Sequence, residues 1–220
     1  MIEGIIFDID GTIVDSVELH AKAWQAAFEK FGKEISLRTI RRQIGKGADQ
    51  LLPVFFSKQE LDQFGEELDR YRSELFKREY LPRVKPFPKV RELFQRIQRD
   101  NKRISLASSA KPDEIQAYKK IARIDDLIES ETSSGDADRS KPHPDLFEAA
   151  LDQLPGVSLH NAIVVGDTPY DAEAAAKANL RTIGLLCGAW NEDELRRAGC
   201  IALYKTPADL LARYEDSPIR

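Results

Sequence analysis

Cysteine is almost missing from this chain: Cys187 and Cys200 are the only two, and they form no CxxC pair. That excludes a disulfide framework and a thiolate metal cluster, points to a reducing compartment, and leaves both as small buried apolar residues. Long apolar runs are missing too, since no stretch approaches the roughly 20 residues that a membrane span takes. Near the N-terminus Glu3 interrupts the apolar run and Asp8 and Asp10 follow at once, so no signal peptide is expected. Nor is there an excess of one charge: 33 Lys and Arg stand interspersed among 37 Asp and Glu, for a net charge of -4 and a pI near 5.6. A basic footprint for nucleic acid is therefore absent. No internal repeat or low-complexity tract is found, and nothing in the pattern specifies an oligomeric state. The expectation is a cytoplasmic protein that engages neither nucleic acid nor membrane.

What is present is alternation. With 220 residues, 42% of them hydrophobic, the chain can bury one large domain or a domain carrying an insertion. Short apolar runs at 2–7, 103–107, 162–165, 182–186 and 201–204 each end in small, polar or charged residues. Helix-patterned stretches at 89–99, 113–121, 145–154, 170–178 and 192–198 lie between them. Strands alternating with helices predict an α/β, Rossmann-like doubly wound parallel sheet. From Val17 to about Arg83 the rhythm breaks. Val17, Ala21, Trp24 and Phe28 mark one face of a helix ending at Gly32, and Leu61, Phe64, Leu68, Tyr71 and Leu75 repeat that spacing. Three prolines within 81–88 read as a hinge. The expected organisation is a catalytic core of residues 1–15 and 85–220 with an all-helical cap of residues 16–84 inserted.

Chemistry concentrates where the runs end. In extended backbone, residues i and i+2 point the same way, so Asp8 and Asp10 present two carboxylates to one spot. Such a pair is unfavourable unless a cation or a shared proton relieves it. Gly11 permits a tight turn, Thr12 adds a hydroxyl, and open α/β sheets bind ligands beyond the carboxyl ends of their strands. A helix-capping turn is the other reading of these residues. Ser108 and Ser109 follow the 103–107 run at a turn whose hydroxyls and N–H groups can hold an oxyanion or cap a helix. Lys141, in Arg139-Ser140-Lys141-Pro142-His143-Pro144, can neutralise clustered acids and phosphate from its proline-flanked loop, or stay solvated. Asp167 and Asp171 lie four apart after the 162–165 run, on one helical face or as a cap. Each signal is ambiguous alone. Together they bring hydroxyls, a lysine and four carboxylates to the strand ends of one sheet.

With those residues in place, the sequence resembles the haloacid dehalogenase superfamily, in its phosphatase and phosphomutase branch with a helical cap. Asp8-Ile9-Asp10-Gly11-Thr12 is similar to that family's DxDGT motif, Ser108 to the Ser/Thr of its second motif, Lys141 to the lysine of its third, and Gly166-Asp167 with Asp171 to its GDxxxD motif. The match spans essentially the whole chain. The resemblance implies that Asp8 is a nucleophile forming an aspartyl-phosphate. It implies that Asp10 first protonates the leaving group and then activates water. Asp8, the backbone carbonyl of Asp10 and Asp167 would hold Mg²⁺, while Ser108, Ser109 and Lys141 would bind the phosphoryl group. Asp171 would orient Lys141 or a metal-bound water. Four carboxylates against Mg²⁺ and one lysine leave one negative charge before a phosphate arrives, so Asp10 is expected to be protonated in the substrate complex.

An acid at position 10 separates this chain from the dehalogenases, which resemble an aromatic there, and from the phosphonate-cleaving branch, where the position is small. His20 sits where β-phosphoglucomutase-like proteins carry a histidine; it is read either as a group near the leaving oxygen or as packing at the cap hinge. Lys46, between Gly45 and Gly47, falls in what resembles a specificity loop and is a candidate contact for an anionic or hydroxylated substrate end. Lys111 is a further candidate contact, whereas Trp24, Tyr170 and Trp190 are read as packing residues. The loop lacks the arginine expected of a mutase, which favours hydrolysis. The function implied is Mg²⁺-dependent hydrolysis of a small phosphorylated metabolite, a sugar phosphate or a phosphoglycolate-like acid. A sugar phosphomutase and a catalytically idle metabolite- or partner-binding member are the alternatives; an idle member would be expected to have lost one of Asp8, Asp10, Lys141 or Asp167.

Overall fold

The computed structural model describes all 220 residues. Its strands are β1 (Gly4–Phe7), β2 (Val14–Asp15), β3 (Lys85–Pro86), β4 (Arg103–Ala107), β5 (Ser130–Thr132), β6 (Ala162–Gly166), β7 (Arg181–Leu185) and β8 (Cys200–Tyr204). Six of them form one sheet in the order β5-β4-β1-β6-β7-β8, parallel throughout, and β2 and β3 pair as a short antiparallel ribbon. The chain leaves β1 to pair on one side with β4 and on the other with β6, so the switch point of the sheet lies at the carboxyl end of β1. Phe7 is in register with Leu106 and Val165, which sets the residues that follow all three strands side by side.

The sheet is buried on both faces, which is why its central strands read as unbroken apolar runs. Ile5 and Phe7 point into one cluster with Leu93, Phe94 and Tyr118, while Ile6 points into another with Phe147, Ala150 and Val164. The helices supplying those faces are numbered after four that come first: α1 (Val17–Lys30), α2 (Leu37–Arg41), α3 (Ala48–Leu51) and α4 (Lys58–Leu75). Then follow α5 (Val90–Arg99), α6 (Pro112–Ala122), α7 (Asp145–Asp152), α8 (Pro169–Lys177), α9 (Glu192–Arg197) and α10 (Pro207–Ala212). Helices α1 to α4 have an apolar cluster of their own, in which Val17, Ala21, Trp24 and Phe28 of α1 meet Ile40, Leu51, Phe56 and Leu68. A reciprocal cap between Ser57 and Glu60 starts α4, and a π-helical turn, Phe76–Tyr80, continues it. That turn brings Phe76 onto the ring of His20, with centroids 3.9 Å apart.

The run at 103–107 coincides with β4, and the others agree with strands to within two residues. Strand β5 was not expected, because Ser130 and Glu131 on a half-buried sheet edge carry no apolar signal. Of the cysteines, Cys200 is buried and Cys187 only partly so, its Sγ lying 3.2 Å from the Gly11 carbonyl. No helix is long and apolar enough to cross a membrane.

Candidate active site

Asp8 leaves β1 at the switch point and is almost fully buried. Lys141, with no exposed surface, donates to Asp8 Oδ1 at 2.5 Å and to the Ala107 carbonyl at 3.1 Å, and pairs with Asp171 Oδ1 at 2.8 Å. Asp171 serves twice. Its Oδ2 accepts from the Thr168 N–H and hydroxyl, closing the cap that starts α8, and its Oδ1 faces Lys141. The capping reading of this acid is realised, and the same carboxylate reaches Lys141. Asp167, fully buried, accepts from the Thr12 hydroxyl at 3.1 Å through Oδ1, whereas its Oδ2 has no partner.

Burial dominates the electrostatics. It pushes the Asp8 carboxyl up to about 7 against the pull of Lys141, with Asp171 and Asp10 adding repulsion. It also pushes Asp167 well above the usual range, reinforced by Asp8 and Asp171. Lys141 would be lowered by burial, but Asp171 and Asp8 outweigh that and hold its ammonium above the ordinary value. Carboxylate oxygens of Asp8, Asp167 and Asp171 lie within 4.8 Å of one another, so three acids share one ammonium. An oxygen-only donor set, surplus negative charge and the unpartnered Asp167 Oδ2 fit a small divalent cation. The backbone leaves room for that oxygen at two glycines. A Cβ on Gly11, whose φ is +87°, would come within 2.4 Å of it, and one on Gly188 within 1.7 Å.

Asp10 points elsewhere. Its Oδ1 accepts from the Ser16 hydroxyl and lies 2.9 Å from His20 Nε2, which is itself 2.8 Å from the Tyr118 hydroxyl. Burial would raise the Asp10 carboxyl, yet His20 and Ser16 hold it below its ordinary value. This network engages Oδ1 of the Asp10 carboxylate alone. The charge count from sequence left out His20, which lies against Asp10 Oδ1. The His20 ring packs on Phe76, and its Nε2 contacts the Asp10 carboxylate.

Asp8, Asp10, His20, Lys46, Ser108 and Ser109 line one cavity of about 50 Å³, together with Trp24, Arg72 and Glu114. The Ser108 hydroxyl accepts from the Ala110 N–H, and the Ser109 hydroxyl is buried without a partner. Lys46 donates to Gln43 Oε1 at 2.7 Å and lies over the Tyr170 ring. Lys111 is not brought into this cavity: it pairs with Asp69 at 2.9 Å and lines a neighbouring cavity of about 230 Å³. Trp24 packs in the helical cluster, as expected, and also lines this cavity. Tyr170 and Trp190 pack edge to face, as expected.

Several site residues escaped the sequence reading. Ser16, Tyr118 and Gly188 carry no local signal, being recruited by folding alone. Arg72 and Glu114 did carry one. Arg72 shares the buried stripe of α4 with Leu68 and Leu75, and Glu114 shares that of α6 with Tyr118 and Ala122. A charge on an apolar stripe marks either a buried pair or a site.

Residues 5–185 match the family model described as haloacid dehalogenase-like hydrolase. A phosphorylated carbohydrates phosphatase of Thermotoga maritima is 27% identical over 212 residues, 95% of this chain and 96% of its own. A pyrophosphatase PpaX of Oceanobacillus iheyensis is 25% identical over 190 residues, 86% of this chain and 85% of its own. Among solved structures, a hydrolase from Pseudomonas syringae superimposes with a TM-score of 0.85 at 27% identity, covering 97% of this chain and 98% of its own.

Proposed function

The chain belongs to the haloacid dehalogenase-like hydrolases, and from that premise we propose that it is a Mg²⁺-dependent phosphatase of small phosphate monoesters, acting in the cytoplasm through an aspartyl-phosphate on Asp8. The observation that carries the reading is the surroundings of Asp8: a buried carboxylate at the switch point, one oxygen 2.5 Å from a fully buried lysine and two further acids within reach. Asp8 attacks phosphorus, and the bond from phosphorus to the leaving oxygen breaks. The proton for that oxygen comes from Asp10, which shares it with His20 across 2.9 Å. In the second half Asp10 takes a proton from the water that attacks the phospho-aspartate. Lys141, Ser108 and Ser109 bind the phosphoryl oxygens, and Asp171 keeps Lys141 in place. Held by Asp8, Asp167 and the main-chain carbonyl of Asp10, Mg²⁺ would supply the positive charge that lets an anionic nucleophile and a phosphate dianion coexist.

In this reading residues 16–84 are the cap over a core of 1–15 and 85–220. Arg42 reaches from the cap to Glu194 of α9 through two hydrogen bonds, and Asp49 accepts from the Ser140 hydroxyl at 2.5 Å, one residue before Lys141. Hydrolysis is favoured over phosphoryl return to a sugar because Gly45–Ala48 offers Lys46 alone, tied to Gln43, where a mutase would need an arginine. The test is phosphate release from p-nitrophenyl phosphate and a panel of phosphorylated metabolites, with and without Mg²⁺. Mg²⁺-dependent release without a phosphorylated activator is expected; no release from any ester in the panel defeats the proposal.

A further inference from the structure

Phosphoryl transfer gives no role to two buried charges on the cavity wall, Arg72 of α4 and Glu114 of α6. Glu114 is 1% exposed and Arg72 8%. Both line the cavity alongside Asp10 and His20, where the leaving group must sit, and Arg72 also lines the larger neighbouring cavity. They hold each other loosely. Arg72 Nη1 is 3.8 Å from Glu114 Oε1, Arg72 Nη2 is 3.4 Å from Asp69, and the Ser73 hydroxyl is 3.4 Å from Glu114 Oε1. Arg72 Nε is buried with no partner at all. A buried ion pair with long contacts and an unpaired N–H weakens a fold rather than stabilising it, so a ligand is the natural completion of its hydrogen bonds.

The charge on this wall decides which ligand. Arg72 and Lys111 face Glu114 and Asp69, with Lys111 and Asp69 paired at 2.9 Å, and Asp49 and Asp138 also line the neighbouring cavity, so this wall carries no excess of positive charge. A second phosphate or a carboxylate would meet Glu114 and find no uncompensated cation beside it. Lys46 lines the same cavity, but its ammonium donates to Gln43 and lies over the Tyr170 ring of α8 rather than pairing with Glu114. Neighbouring hydroxyls suit the wall, because each can donate to Glu114 and accept from Arg72. The Trp24 ring, 4.7 Å from the Arg72 guanidinium, adds an apolar face for C–H groups. We propose that Arg72 and Glu114 form a hydroxyl-reading subsite that selects monophosphates of sugars or polyols over substrates with a second anionic group. The proposal rests on the phosphatase reading.

The test compares kcat/KM of the Mg²⁺-loaded full chain for a hexose monophosphate and glycerol phosphate against pyrophosphate and phosphoglycolate, with p-nitrophenyl phosphate as reference. The wild-type chain is expected to favour the polyol phosphates by about tenfold or more. In Glu114→Gln, the ratio of kcat/KM for the hexose phosphate to that for p-nitrophenyl phosphate should fall about tenfold, chiefly through KM. Preference for pyrophosphate or phosphoglycolate, or an unmoved ratio in a folded variant, overturns the subsite while Mg²⁺-dependent release from p-nitrophenyl phosphate leaves the phosphatase reading standing. Should Glu114→Gln fail to fold, the wild-type panel decides alone.

Discussion

His20 Nε2 lies 2.9 Å from Asp10 Oδ1, joining α1 to the acid proposed to deliver a proton. The contact ties the Asp10 carboxylate to the position of α1. Asp10→Asn should lower kcat about 10²–10⁴-fold for an alkyl phosphate and far less for p-nitrophenyl phosphate, whose leaving group needs little protonation. His20→Ala should show the same leaving-group pattern with a smaller loss. Steady-state kinetics across esters of rising leaving-group pKa checks both, and an equal loss for every ester would remove Asp10 from the acid role.

Lys141 is the only ammonium among Asp8, Asp167 and Asp171, and it is wholly buried. Replacing it by Met leaves Asp8 and Asp171 without their counter-ion and should cost about 3–5 kcal/mol of stability along with activity. Urea unfolding measures the first and phosphate release the second. A stable, active Lys141→Met chain would contradict the site as described.

The acid cluster sets a sign for pH dependence. The Asp8 carboxyl rises from 3.8 to about 7 on folding and that of Asp167 rises as well, so the metal-free folded chain binds more protons than the unfolded chain between those values. Stability without metal must then fall as pH climbs from about 4 to about 7. The cation replaces those protons when bound. Asp10, held low, runs the other way but does so with or without metal. Urea midpoints in chelator and in millimolar Mg²⁺ should therefore diverge as pH rises through that window, and parallel curves would show that the cluster binds no cation.

Arg42 ties the helical segment to Glu194 of α9 with bonds of 2.5 and 3.1 Å, its guanidinium 3.4 Å above the Trp190 ring. Partly exposed pairs of this kind contribute about 0.2–1 kcal/mol, so Glu194→Gln should raise KM by at most about fivefold with kcat no lower. Stopped-flow binding of phosphate would show faster association if this tie holds the cap closed.

Much of this was legible before folding. Alternating apolar runs specify the parallel sheet, and the acids, serines and lysine that follow them had to gather at its carboxyl edge. Asp8, Asp10, Ser108 and Asp167 are readable because each follows a strand, Asp171 because it lies in the first turn of the next helix, and Lys141 because prolines flank it in the loop before α7. The partners that complete them are not, since Ser16, Tyr118 and Gly188 reach the site from turns and helices whose approach depends on tertiary packing. Lys111 illustrates the limit in the other direction: three residues after Ser108 it reads as a phosphate contact, yet it pairs with Asp69. Glu114 and Arg72 lay in plain view as charges on apolar stripes, a pattern that only burial turns into a subsite.

The most direct test of the account is to trap the covalent intermediate. Rapid acid quench of the Mg²⁺-loaded chain during turnover, followed by borohydride reduction and peptide mass mapping, should convert Asp8, and no other residue, to homoserine, with Asp8→Asn giving neither label nor turnover. Continued phosphate release from Asp8→Asn, or turnover with the reduced residue found elsewhere, would contradict it.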